Sequence, residues 1–227
     1  MKMQRIDTAR LATAPTVRTT EVTNKVVRNT YLLLTLTLIT SAMAAGVAMV
    51  TGAQPVHWLL MLAVFIGMPF VISAVRNTVW ALPLTFLFTG FMGYVLGPIL
   101  TLYLGLPNGG QIVLAAFATT ALMFLGLSAY AITTRKDFSF MGGFLMVGMI
   151  VVLIAIVANI FMEIPALSLT ISAAAVILMS GMILFDTSRM INGGETNYVM
   201  MTVSLFADIY VMFVHLLNLF AFLSGDN

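Results

Sequence analysis

The sequence predicts an all-α, polytopic integral membrane protein, and three observations carry that expectation. The 227 residues are 61% hydrophobic and 8% charged, against roughly 45 to 50% apolar and about 25% charged in soluble domains. From residue 31 onward the chain divides into seven apolar segments, each long enough to cross a hydrocarbon core of about 30 Å as a helix. Counting seven crossings also puts all ten Lys and Arg on one side of the membrane. Helices are preferred to a barrel because the runs do not alternate, and backbone in lipid must find its partners within the segment.

Residues 1–30 open the chain with Lys2, Arg5, Arg10, Arg18, Lys25 and Arg28 against Asp7 and Glu21. They hold too little apolar surface to offset the entropy of ordering. We expect a polar, largely flexible cytoplasmic tail there, followed by a transmembrane domain over 31–227. The tail lacks the apolar core of a signal peptide, so the first span is expected to stay in the mature protein. The spans are expected at 31–51, 56–75, 79–106, 111–133, 138–161, 166–185 and 198–223. In the third, Gly93 and Gly97 form a small-x-x-x-small pair suited to close helix packing, and Pro98 is expected to kink or interrupt the helix just after it. The alternative for this element is a broken helix lining a cavity.

The loops divide by charge. The tail and the loops holding Arg76, Arg135 to Asp137 and Arg189 to Glu195 carry every Lys and Arg; those at 51–55, 107–110 and 163–165 and the last residues carry none. The positive-inside rule then puts the N-terminus in the cytoplasm and the C-terminus outside. The pI of about 9.1 reflects these topology charges, since no basic face exists for nucleic acid, and none is expected as a partner. The chain has no Cys and 18 Met. Thiolate chemistry and disulfides are excluded, and the Met residues read as adaptable apolar filler.

Two acids interrupt this apolar background. Asp208 lies about ten residues into the last span, roughly 15 Å along it and near the midplane, where an ionised carboxylate costs at least about 2.5 to 3.5 kcal/mol unless it faces protein or water. Asp186 closes the sixth span at its cytoplasmic border. If the two carboxyls meet they titrate as a pair, which makes a proton switch or a cation site. Helix arithmetic leaves them offset in depth by very roughly 9 Å. On the same face of the last span, Ser204 lies one turn before Asp208 and His215 two turns after it, a polar file suited to a proton or ion path; the alternative for His215 is an interfacial anchor. Arg76 is a candidate counter-ion to Asp186, or simply a topology charge. Asn159 reads as polar glue between helices.

Enzymatic readings find little support. D-T-S at Asp186 has the aspartic-protease triplet, but the G-x-G-D pattern of intramembrane aspartyl proteases is absent around Asp208. His57 and His215 are isolated from each other, and no G-x-S-x-G elbow occurs. We expect no catalytic residue and no organic cofactor.

The chain also carries N-K-V-V-R-N-T-Y at 24–31, F-T-G-F-M-G-Y-V-L-G-P-I-L at 88–100, S-A-Y-A-I-T-T-R-K-D-F-S-F-M-G-G at 128–143, V-A-N-I-F at 157–161, and F-D-T-S through G-G-E-T-N-Y over 185–198. In these it resembles the Bax-inhibitor-type (TMBIM) membrane proteins, more closely their bacterial YccA-like branch, over nearly everything from residue 24. The resemblance implies seven helices with the seventh central and surrounded by the other six. It implies that Asp186 and Asp208 form a pH-sensitive pair controlling a calcium leak, which makes these two residues the candidate calcium ligands. An arginine after the second helix, which pairs with the first aspartate in that family, matches Arg76 only across a gap. The branch also implies residence in the bacterial inner membrane, with the C-terminus periplasmic, and contact with the membrane protease FtsH, for which residues 1 to about 24 would supply a cytoplasmic tail. The partners expected are thus the lipid bilayer, calcium or a proton, and the FtsH complex.

Overall fold

The computed structural model describes residues 14–225, with side chains from residue 24 onward. The first 13 residues of the expected tail lie outside the described residues. Seven α-helices follow one another with short turns: α1 Ala14–Val50, α2 Trp58–Ala74, α3 Ala81–Leu104, α4 Gly109–Thr134, α5 Gly142–Met162, α6 Pro165–Ile191 and α7 Tyr198–Leu223. Six of them are long and apolar enough to cross a membrane. The exception is α2, whose 17 residues cover about 26 Å at 1.5 Å per residue. It begins later than expected because His57 caps it, Nδ1 accepting from Leu59 N–H at 3.3 Å.

Two further departures have local causes. The first span is the C-terminal part of a 37-residue helix that starts well inside the polar segment. The sixth continues past Phe185 to Ile191, because its last polar residues find partners across the bundle. Thr187 Oγ1 meets Ser128 Oγ of α4 at 3.5 Å, and Ser188 Oγ accepts from Phe138 N–H at 3.0 Å and donates to Lys136 C=O at 3.1 Å. Nor does Pro98 interrupt α3, which runs through it unbroken. A proline removes one ladder bond, and a packed helix can absorb that loss.

The pair α1 and α3 is in close apposition. A Cβ on Gly93 would run into the backbone of Ser41, and one on Gly97 would meet Ala48 and the Ala45 carbonyl. Small residues on both helices are what let the backbones approach. Packing around α7 differs from packing around α5. Helix α7 touches α1, α2, α3, α4 and α6 and buries residues along its whole length, Val199, Leu205, Phe206, Tyr210, Met212 and Leu217 among them. Helix α5 packs on α6 and buries only Leu145.

The loops α2–α3, α4–α5 and α6–α7 meet at one end. Asn197 caps α7 by accepting from Val199 and Met200 N–H, while its amide donates to Arg76 C=O at 3.0 Å. All described Lys and Arg gather toward this basic end, including Lys25 and Arg28, which adjoin the small cluster of Val26, Met190 and Met201. The opposite end has none.

Candidate functional site

Asp186 and Asp208 are 1% and 4% exposed. Asp186 is therefore not the border acid expected from the sequence, because α6 carries it about a turn and a half inside the helix end. Its Oδ1 faces Arg189 Nη1 at 3.6 Å, one turn further along the same helix. Ser204 of α7 lies near the same carboxyl. Counting from the basic end, Ser204 is about 9 Å into α7 and Asp186 about 7.5 Å from the end of α6, so the two are level. Asp208 lies one turn deeper, within Coulombic reach of Asp186. The Oδ2 atoms of both acids are buried and have no hydrogen-bond partner.

Arg76, the candidate counter-ion, is not the cation beside Asp186. It faces Glu195 at 4.0 Å, and Glu195 in turn faces Arg189 Nη2 at 4.0 Å. The result is a chain of alternating charge from the surface inward: Arg76, Glu195, Arg189, Asp186. Arg189 also lies over the Phe185 ring, 5.4 Å from its centroid, a cation–π contact that holds the guanidinium at the mouth of the site. The sequence carried a signal for Arg189 in its i+3 spacing from Asp186. That signal becomes readable only once α6 is known to continue past residue 185. In the neighbouring α4–α5 loop, the hydroxyl and N–H of Ser139 bond to Asp137 and hold its carboxyl below the usual carboxylate range.

Further hydroxyls of the bundle are buried as well. Thr30 Oγ1, Tyr31 OH and Tyr210 OH are without partners, and Ser128 and Thr187, next to Asp186, lie close to Tyr31. Buried polar groups are ordinarily paired, so the two unpartnered Oδ2 atoms mark a region suited to water or an ion. Two acids served by one cation, which faces Asp186, hold one negative charge too many. A proton or a mobile cation can balance it. As a resident cation site the set is thin: no group of three or more His, Cys, Asp or Glu occurs among the described residues, and Ca²⁺ prefers six to eight oxygens.

His215 lies elsewhere. Its Nδ1 meets Ser172 Oγ of α6 at 3.0 Å, and it lines a pocket of about 180 Å³ with Asn159, Ser168, Ser172 and Asn218 at the end away from the basic loops. Asn159, read from sequence as glue, accepts from Ile164 N–H at 3.2 Å and closes the α5–α6 turn. Ser168, Ser172 and Asn218 had no distinguishing signal in the sequence, because they come together only where α6 packs on α7.

Residues 23–225 match the family described as "Inhibitor of apoptosis-promoting Bax1". A protein of Escherichia coli (strain K12) named "Modulator of FtsH protease YccA" is 48% identical over 204 residues, covering 90% of this chain and 93% of that one. An uncharacterized protein of Pseudomonas aeruginosa is 49% identical over 202 residues, covering 89% and 91%. An uncharacterized membrane protein of Vibrio cholerae is 44% identical over 210 residues, covering 90% and 92%.

Proposed function

The chain belongs to the Bax-inhibitor family, in its YccA-like bacterial branch, and on that premise we propose that it is an inner-membrane protein with a proton-controlled leak for calcium or a similar cation, gated by Asp186 and Asp208. The observation that carries this is the pair of buried, unpartnered Oδ2 atoms on two neighbouring acids, one of which, Asp186, faces Arg189. When a proton balances the second carboxyl, the site is neutral and closed to a cation. When the proton leaves, repulsion between the carboxylates is relieved by a cation taking its place. Few fixed oxygens mean weak, partly hydrated binding, which suits passage better than storage.

In this proposal all seven helices cross, α7 forms the axis of the bundle, and the basic end faces the cytoplasm, leaving the C-terminus periplasmic. The short α2 crosses with its flanking residues at the headgroups or with local thinning of the bilayer. The protein is not an enzyme. The test is calcium flux into liposomes holding purified protein, between about pH 6 and 8. A gate set by one proton changes flux by up to about tenfold per pH unit, and Asp208→Asn removes that dependence. Flux that ignores both pH and the substitution would sink the proposal. Asp137 cannot supply the response, since its carboxyl titrates below this range.

A second function is favoured by one specific observation, the name of the 48% identical E. coli relative. The chain would bind FtsH and modulate its action on membrane proteins without transport, presenting residues 1 to about 24 as a cytoplasmic tail. Deleting residues 2–20 should then lower both turnover of the protein and co-purification with FtsH; if neither changes, this role is discarded.

A further inference from the structure

Hydroxyl groups inside a helical bundle usually donate back to a carbonyl three or four residues earlier. Thr37, Thr85, Thr120, Thr170 and Ser180 all do so here. Ser168 and Ser172, one turn apart on α6, do not. They reach across to α7, where Asn218 Nδ2 donates to Ser168 Oγ at 2.9 Å and Ser172 Oγ meets His215 Nδ1 at 3.0 Å. His215 Nε2, Asn159 Nδ2 and Asn218 Oδ1 are left without hydrogen-bond partners among the described residues, in side chains that all line the pocket of about 180 Å³. That volume, with several donors and acceptors around it, is enough for a few waters.

We propose that this pocket is a hydrated proton-binding site, with His215 as the acceptor and Ser172 as the partner that makes both of its charge states acceptable. The hydroxyl can rotate. With a neutral ring, Ser172 O–H donates to Nδ1 and Nε2–H points to water. With a charged ring, Nδ1–H donates to Ser172 Oγ, the freed Ser172 O–H turns to the carbonyl of Ser168 four residues earlier or to water, and Nε2–H again donates to water. One proton is gained, one hydrogen bond reverses, and no group is left unpaired in either state. No fixed charge competes: α5 faces the pocket with Asn159, Ile156 and Ile160, α6 with Ser168, Ile171 and Ser172, and α7 with Asn218. In the adjoining α5–α6 turn, Glu163 is exposed to the surroundings. Between His215 and the acids, Met212 on α7 and Ala175, Leu178 and Met179 on α6 are buried and apolar. The pocket is thus separated from the Asp186 and Asp208 site by a dry layer, and its proton chemistry stands whether or not those acids gate an ion.

The chain has two His, so selective labelling of imidazole nitrogen in lipid nanodiscs gives two sets of ring signals, and His57→Gln assigns them. The expected result is that the His215 signals titrate reversibly between about pH 4 and 8 and exchange with water. Ser172→Ala should displace the midpoint, and Ser172→Thr, which keeps the hydroxyl, should restore it. Signals that stay fixed across this range, or a ring that does not exchange with water, would overturn the proposal in favour of purely structural glue. A midpoint insensitive to Ser172→Ala would overturn the part assigned to Ser172. No step of the experiment depends on calcium flux.

Discussion

At the scale of single residues, Arg189 is the side chain on which the acid site most depends. It balances a carboxylate that is 1% exposed, while its own side chain is 35% exposed. Removing one partner of an ion pair leaves the other charge behind, and the cost falls on the buried member. Arg189→Ala should therefore destabilise the protein by about 1 to 3 kcal/mol, a figure lowered for the partial exposure of the guanidinium. Adding Asp186→Asn should recover most of that loss, because the stranded charge is gone. Thermal unfolding in detergent, comparing the two single variants with the double, measures the coupling. Arg76→Ala, at an exposed pair with Glu195, should change stability little. The sequence showed the two acids but misread the setting of Asp186. In D-T-S-R the polar run looks like a helix end, whereas Thr187 and Ser188 are helical because α4 and the α4–α5 loop supply their partners. Partners that come from another helix leave no trace in local composition.

At the scale of elements, the apolar runs were legible because hydrophobicity over about 20 residues is set by the bilayer itself. Their ends were less so, since they are set by single hydrogen bonds such as those of His57 and Asn197. The small-residue pattern in α3 was legible as well, although not its partner on α1. That contact predicts a contrast between two glycines. At Gly93 a Cβ meets Ser41 backbone, which cannot move without shifting α1; at Gly46 it meets nothing within 4 Å. Gly93→Ala should cost roughly 1 to 3 kcal/mol by overpacking, whereas Gly46→Ala should be neutral or stabilising by up to about 1 kcal/mol. Unfolding midpoints of the two variants test this directly.

At the scale of the whole molecule, the separation of basic and uncharged ends predicts which loops face which side. The chain has no Cys, so single cysteines report cleanly. Gln54→Cys and Asn108→Cys should react with a membrane-impermeant maleimide added to the periplasmic side of intact cells. Asn77→Cys and Asn192→Cys should react only after permeabilisation. Labelling of Gln54 and Asn77 positions from the same side would mean that the 17-residue α2 does not cross. The charge partition, read from sequence, is what carries this expected topology. Which helices contact α7, and the pocket between α5, α6 and α7, depend on tertiary packing that hydropathy does not encode.

The hydrogen bonds between α6 and α7 also bear on how the bundle can move. Ser168 to Asn218 and Ser172 to His215 fasten the two acid-bearing helices at one end, and Glu195, held by Arg189, anchors the short turn that joins them at the other. Hinging α6 away from α7 would break at least the first two bonds, at roughly 1 kcal/mol each, whereas α5, which packs on α6 and buries only Leu145, can slide by exchanging apolar contacts for apolar contacts. The α6–α7 pair is therefore mechanically a stiff hairpin, and the cheapest motion beside it is that of α5. A gate built on Asp186 and Asp208 would open through displacement of a neighbouring helix while the hairpin keeps its shape.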